Sequence, residues 1–338
     1  MASSQAAALT DLEQRVALYL AHRMPGTSGM QVKNLRRIPG GNSKENLVFD
    51  ASWLEGQQSR RRRHLIRREL PAGVLDTSVE TEFRIMDALR GTRVPVPQMY
   101  WYEPESSWLD RPFIVTQFVR GESSPERFAT DPQLKSSIAD HFVEVLAAQH
   151  RVDWARKGLD FLGIPADALD CSQRLIDHWS SVLDRYRLEP QPMLVALLQW
   201  LEEKRPRKVR RIALCHGDPG PGNFLYRDGK IVAVVDWEMA HLGDPMDDVG
   251  WTCWRAVGPG SLFERDEFLD KYRQASGEPV DRESVLYYEV LSNVRAAIAC
   301  VTGMHAFCTG GNYQPNMGLV GLGVYRRCLI DGARLAGF

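Results

Sequence analysis

The 338-residue sequence has no excess of either charge: 42 Lys and Arg stand against 43 Asp and Glu, for a formal net charge of −1. So balanced a chain has no global attraction to nucleic acid or to an anionic membrane, and neither is expected as a partner. Six cysteines, at 171, 215, 253, 300, 308 and 328, form no CxxC pair and no secreted disulfide pattern. Reduced thiols in the cytoplasm are the simplest expectation. There is no charged-then-apolar leader with a cleavage site, and no uninterrupted apolar run long enough to span a bilayer. No internal repeat is visible. What remains is ordinary for a soluble globular chain of one large or two modest domains: 44% hydrophobic and 25% charged residues.

Taken in order, the first residues, MASSQAAA, are small and polar and are expected to be disordered. A helix is predicted from Thr10, where Thr10 and Glu13 have capping-box spacing and Leu12, Val16, Tyr19 and Leu20 share a face. Strand patterns follow from Val32 and from Asn46 to Ala51, separated by Pro39-Gly40-Gly41-Asn42-Ser43. Glycines between strands let backbone amides approach phosphate closely, although an ordinary hairpin turn has the same composition. Arg60 to Arg63 reads as a solvated hairpin end, and no interleaved aromatics support a polyanion patch. Asp76 to Leu89 carries a helical stripe of Val79, Phe83, Met86 and Leu89. Phe113 to Phe118 is an apolar strand. Beyond it the pattern is helical: Ile138 to His150, Arg174 to Arg187, Met193 to Glu203, Ser284 to Cys300 and Leu322 to Leu335. The helix from Ser284 is apolar nearly all round and is expected to be buried, so Arg295 within it needs a carboxylate partner. His150 and Asp153 are expected to be structural, with Asp153 capping a turn.

The densest chemistry lies in LCHGDPGPGNFLYRDGKIVAVVDWEMAHLGDPMDD, Leu214 to Asp248. Asp218 and Asn223 have the D-x-x-x-x-N spacing in which a carboxylate orients a hydroxyl and an amide oxygen holds Mg²⁺. Asp236 follows the apolar run Ile231 to Val235 and supplies a second hard oxygen for the ion.

This stretch resembles the aminoglycoside phosphotransferase and choline kinase-like family, whose HGDxxxxN and DWE or DFE motifs match His216-Gly217-Asp218, Asn223 and Asp236-Trp237-Glu238. The family's following G-D-P-x-x-D run matches Gly243, Asp244, Pro245 and Asp248. The resemblance covers about Val32 to Trp254 and implies an α+β, two-lobed protein-kinase-like fold, with an antiparallel-sheet N-lobe (1–118) and a mainly helical C-lobe (119–338). It implies transfer of the ATP γ-phosphoryl group to a small-molecule hydroxyl, with ATP and Mg²⁺ as cofactors. Asp218 is then base or orienter, and Asn223 and Asp236 are the metal ligands. Gly40, Gly41, Asn42 and Ser43 match the loop over the phosphates. Arg67 stands where the family usually has a lysine, and Glu82 is its implied partner. Adenine would meet the backbone near Gln117 and Val119 at the hinge.

Gly243-Asp244-Pro245 arrives seven residues after Asp236 and no A-P-E follows, so there is no peptide-docking segment of the kind protein kinases carry. Glu238, Asp244, Asp247 and Asp248 beside Trp237 and Trp251 point to a cationic or amine-bearing acceptor. Trp251 is read as core or as acceptor lining, and Arg295 as holding an acid or touching the acceptor. A nucleotide-binding pseudokinase serving as a regulatory or scaffolding module is the alternative, resting on the arginine at 67. The oligomeric state is not legible.

Overall fold

The computed structural model describes residues 2–38, 44–70, 77–258, 261–311 and 315–338, with backbone alone for 2–9 and 315–322. The Gly40–Ser43 turn therefore lies outside the described residues. The chain is α+β and two-lobed. One compact unit comprises residues 1–87 and 97–119; the other comprises 88–96 and 120–338. Residues 88–96, which the sequence reading placed in the N-lobe, pack with the second unit.

The first unit begins with α1 (Ala2–Arg23), followed by β1 (Thr27–Ile38), β2 (Lys44–Glu55), β3 (Gln58–Glu69), α2 (Val79–Leu89), β4 (Met99–Glu103), the single turn α3 (Ser106–Leu109) and β5 (Phe113–Gln117). The five strands form one antiparallel sheet in the order β1-β2-β3-β5-β4. Leu47, Phe49, Ile66, Phe113 and Val115 of the sheet pack against Val16, Tyr19 and Leu20 of α1. Tyr19 is the hub, its ring edge-on to Phe113 at 4.8 Å and to Trp108 at 5.4 Å. The expected disorder of the first residues is corrected: α1 starts at Ala2, and its alanines are the best helix formers. The expected Thr10 capping box is also corrected. Glu13 accepts from the Leu35 amide at 2.9 Å and so ties α1 to β1.

Arg60 to Arg63 are exposed and lie at the turn end of the β2–β3 hairpin, as expected, in the first part of β3. Arg61 and Arg63 pair with Asp50 of β2, Arg60 pairs with Glu55, and Arg62 donates to the Tyr100 hydroxyl. The run is accounted for by neighbours on its own sheet.

The second unit contains α4 (Pro125–Ala129), α5 (Pro132–His150), α6 (Ala168–Tyr186), α7 (Pro192–Glu203), β6 (Ala213–Cys215), β7 (Phe224–Arg227), β8 (Lys230–Val234), β9 (His241–Gly243), α8 (Met246–Ala256), α9 (Arg265–Ser276), α10 (Arg282–Cys308) and α11 (Pro315–Ala336). β6 pairs with β9, and β7 with β8. The core is α10, buried along most of its length and packed against α8, α6, α7 and α11. By length and composition alone α10 could cross a membrane, but most of its apolar window is buried in the protein. Gly250 explains how closely α8 approaches α10: a Cβ there would sit 2.7 Å from the Tyr288 Cβ. Asp153 caps the turn after α5 through the Arg156 amide.

Candidate active site

β6 ends at Cys215, and His216-Gly217-Asp218 leave it as a loop that only glycine can complete. Gly217 has φ +82°, and a Cβ there would lie 2.2 Å from the Met239 carbonyl oxygen. Asp248, in the first turn of α8, holds this loop from beneath. Its carboxylate accepts from the His216 and Gly217 amides, both at 2.8 Å, from Gln149 Nε2 at 2.8 Å, and pairs with His150 Nε2 at 3.0 Å. Burial alone would raise this carboxyl. The His150 hydrogen bond, the charges of His150 and His216, and the His216 amide outweigh burial and hold it well below the usual carboxylate range.

A second support comes from α10. Arg295 is 1% exposed; its Nη1 meets both oxygens of Asp247 at 2.8 Å, and its Nη2 donates to the Gly217 carbonyl at 2.6 Å. Its guanidinium lies over the Trp251 ring, 4.6 Å from the centroid.

Asp218 is half-buried and fully engaged. Oδ1 accepts from Trp251 Nε1 at 2.6 Å and from Arg255 Nη1. Oδ2 accepts from Asn223 Nδ2 at 2.7 Å, and the same amide nitrogen reaches the Asp218 carbonyl at 2.9 Å. With Nδ2 turned to Asp218, the amide oxygen of Asn223 is the atom left to face a cation. Arg255 also donates to the Pro221 carbonyl at 2.9 Å, bridging the loop to α8. Burial draws its guanidinium down to about 10, still charged at neutral pH.

The segment carrying Asp236 is stitched to the same loop. The Val235 amide donates to the Asn223 carbonyl at 2.9 Å, and His216 Nε2 lies 3.0 Å from the Val235 carbonyl. Asp236 then turns the chain in the left-handed region, φ +69°, an uncommon conformation for a residue with a side chain. Its carboxylate and that of Glu238 offer oxygens within 4.8 Å of each other. Like the amide oxygen of Asn223, these are hard oxygens, the donor type that Mg²⁺ prefers. His150, Cys215 and Asp248 lie within 4.8 Å of one another, but that trio is structural. His150 bridges Tyr272 and Asp248, and burial pushes the Cys215 thiol well up, so it stays protonated.

In the first unit, Arg67 on β3 directs Nε to Glu82 of α2 at 3.0–3.1 Å, with Glu82 fully buried. Gln117 closes β5; its amide donates to the Gln98 carbonyl at 2.8 Å, and its side chain is exposed. Val119, two residues on, is half-buried.

Three expectations about the acceptor are corrected. Asp247 and Asp248 are buried and bonded within the protein, and Asp244, bonded to the Met246 amide, lines a cavity whose walls do not include Asp218, so the three form no amine pocket beside Asp218. Trp251 is 4% exposed and serves as a donor to Asp218 rather than as acceptor lining. Arg295 is enclosed beneath the loop, where it cannot meet an acceptor. Sequence reasoning missed Arg255. The available signal was its position four residues after Trp251, which puts both on one face of α8.

The family model described as "Phosphotransferase enzyme family" matches residues 34–285. Among curated proteins, acyl-CoA dehydrogenase family member 10 of Mus musculus is 31% identical over 233 residues, covering 67% of this chain and 21% of that protein. The probable acyl-CoA dehydrogenase IBR3 of Arabidopsis thaliana is 24% identical over 82% of this chain and 37% of its own length. The chain thus spans about a fifth to somewhat over a third of these longer relatives. Among solved structures, a Ralstonia eutropha JMP134 protein described as an aminoglycoside phosphotransferase superposes with TM-score 0.74 at 22% identity, covering 96% of this chain and 97% of that one. Aminoglycoside phosphotransferase APH(4)-Ia, solved with AMP-PNP and hygromycin B, gives 0.61 at 16% identity, covering 95% and 97%. These structural likenesses establish the fold, and the match across most of the sequence establishes that the chain belongs to the phosphotransferase enzyme family.

Proposed function

We propose that the chain transfers the γ-phosphoryl group of ATP to a hydroxyl of a small molecule. The observation that carries the proposal is the hydrogen-bonded unit of Asp218 and Asn223, joined by the Val235 amide to the turn bearing Asp236. In this reading the acceptor oxygen bonds to the γ-phosphorus while the bond to the bridging oxygen of ADP breaks, and the hydroxyl proton passes to Asp218. Asn223 and Asp236 hold Mg²⁺, with Glu238 beside them. Mg²⁺, when bound, draws charge from the phosphate oxygens. Arg67, kept in place by Glu82, and the Gly40, Gly41, Asn42 and Ser43 turn take the phosphates. Adenine meets the backbone near Gln117 and Val119. With Arg67 paired to a buried glutamate, no observation favours the pseudokinase alternative.

With Asp244, Asp247 and Asp248 enclosed and only Glu238 half-buried, the acceptor need not be cationic. The longer relatives are named acyl-CoA dehydrogenases, which brings hydroxyacyl thioesters into the acceptor panel; structural neighbours solved with hygromycin B and streptomycin bring in aminoglycosides. The test is ADP release across that panel, repeated with Asp218→Asn. Loss of a general base lowers kcat by about 10²–10⁴, with ATP affinity kept. Full turnover by the variant on the best acceptor overturns the assignment.

A further inference from the structure

The second unit contains a cavity of about 830 Å³ whose walls include none of Asp218, Asn223 or Asp236. One wall is the loop between α7 and β6, where Arg207, Lys208, Arg210 and Arg211 stand within five residues, all exposed. Among the described residues Arg210 has one ion pair, to Glu278 at 3.9 Å. Arg207, Lys208 and Arg211 have no ion pair among the described residues. The opposite wall brings together the N-termini of α6, α8 and α10, with the carboxylates Asp167, Asp244 and Asp281.

With Arg151 and Glu278, which also line the cavity, five basic side chains face four carboxylates, and three of those acids are held by backbone amides on their own helices. Asp167 accepts from the Asp170 amide, Asp244 from Met246, and Asp281 from Glu283 and Ser284. Asp244 is further weakened as a charge: burial, with Asp247 and Asp281 nearby, raises it to about 7. The basic side chains around the cavity therefore outnumber its ionised acids, and its volume is that of a small-molecule site. Arginine forks match phosphate oxygens well, and several cations within one short loop suit a multiply charged ligand.

We propose that this cavity is a second binding site, for a small organic phosphate. It lies close to the supports of the catalytic loop. Tyr272 and His150 both line it; the Tyr272 hydroxyl meets His150 Nδ1 at 2.7 Å, and His150 Nε2 meets Asp248, which holds the His216 and Gly217 amides. A ligand contacting Tyr272 is thus two hydrogen bonds from the residue that fixes the loop.

Calorimetric titration of the whole chain with inorganic pyrophosphate tests the proposal without requiring turnover, so it stands or falls separately from the phosphotransfer reading. Three variants are compared with the parent. Arg207→Ala/Lys208→Ala/Arg211→Ala removes exposed, unpaired charge; Val280→Trp fills the cavity without changing charge; Arg67→Ala alters the expected nucleotide site. The triple variant and Val280→Trp each weaken binding at least about ten-fold, whereas Arg67→Ala keeps it, and parent binding falls as salt screens the loop. The proposal is overturned by absence of parent binding, by loss confined to Arg67→Ala, or by a Val280→Trp variant that binds like the parent. Thermal melts of all four proteins confirm that each is folded.

Discussion

Asp218 has three donors on its two oxygens, and one of them carries a full charge. Arg255 bridges the Asp218 carboxylate to the Pro221 carbonyl, so its removal loosens the loop and strips the adjacent positive charge. A charge-assisted hydrogen bond contributes about 1.5–3 kcal/mol, so Arg255→Met should lower kcat by about 10–100-fold while leaving the KM for ATP nearly unchanged. Trp251→Phe removes a neutral donor and should cost only a few-fold. Steady-state kinetics on both variants checks this ordering; equal effects would mean that the arginine charge plays no part. His64 in β3 offers a test of pH dependence. It is buried against Phe49 and Tyr100, and its Nδ1 has no hydrogen-bond partner among the described residues. Burial, helped by the charge of Arg62, lowers it to about 4. Above pH 6.5 the ring is neutral whether folded or unfolded, and it contributes no pH dependence. Below 6.5 the unfolded chain takes a proton that the native chain refuses, so stability falls until the pH reaches about 4. The full loss is about 3 kcal/mol. Denaturant melts of the parent and His64→Phe should therefore run in parallel above pH 6.5 and diverge below it, with the parent losing more.

At the scale of elements, α10 carries the active site without contributing a reactive group. Its Arg295 is a buried cation held between Asp247 and the Gly217 carbonyl. Removing one partner of a buried pair leaves an uncompensated charge and costs about 3–5 kcal/mol. Arg295→Ala should thus lower the stability measured in urea by that amount, and Arg295→Met/Asp247→Asn should recover much of the loss. If the single variant is as stable as the parent, the pair is not what anchors the loop. The apolar wrap of α10 and its need for an acid were legible in sequence, because a helix without a polar face has to be buried. Which acid it would meet was not: Asp247 lies 48 positions away. α9 escaped sequence reading because RDEFLDKYRQAS is mostly polar and buries only Phe268, Leu269 and Tyr272. β4 escaped because its five residues are too few for alternation to register.

For the molecule as a whole, the division into two units follows contacts rather than chain order, since residues 88–96 return to the second unit before β4 and β5 complete the first. The Val234 amide donates to the Pro95 carbonyl at 2.7 Å, one reason that short segment belongs where it does. Nucleotide binding should appear as a gain in stability of the intact chain. At a free ligand concentration of 100 Kd the gain is about 2.7 kcal/mol. AMP-PNP with Mg²⁺ is expected to raise the Tm, EDTA to remove part of the rise, and Asp236→Asn to abolish the Mg²⁺-dependent part while keeping the fold. An Asp236→Asn protein whose melting still responds to Mg²⁺ as the parent does would count against Asp236 as a ligand.

The family and the order of the chemistry were written in the sequence by itself. HGDxxxxN and DWE are local patterns, and local spacing is enough to mark a loop that ends a strand with hard oxygens on it. The tertiary structure decided which polar groups face inward. Asp244, Asp247 and Asp248 look in sequence like acids available to a ligand, yet folding encloses them against backbone amides, His150 and Arg295, because a buried loop needs its amides bonded. The same packing brought Arg255 to Asp218 across 37 positions; the i+4 spacing puts Arg255 beside Trp251 but does not say that either faces Asp218.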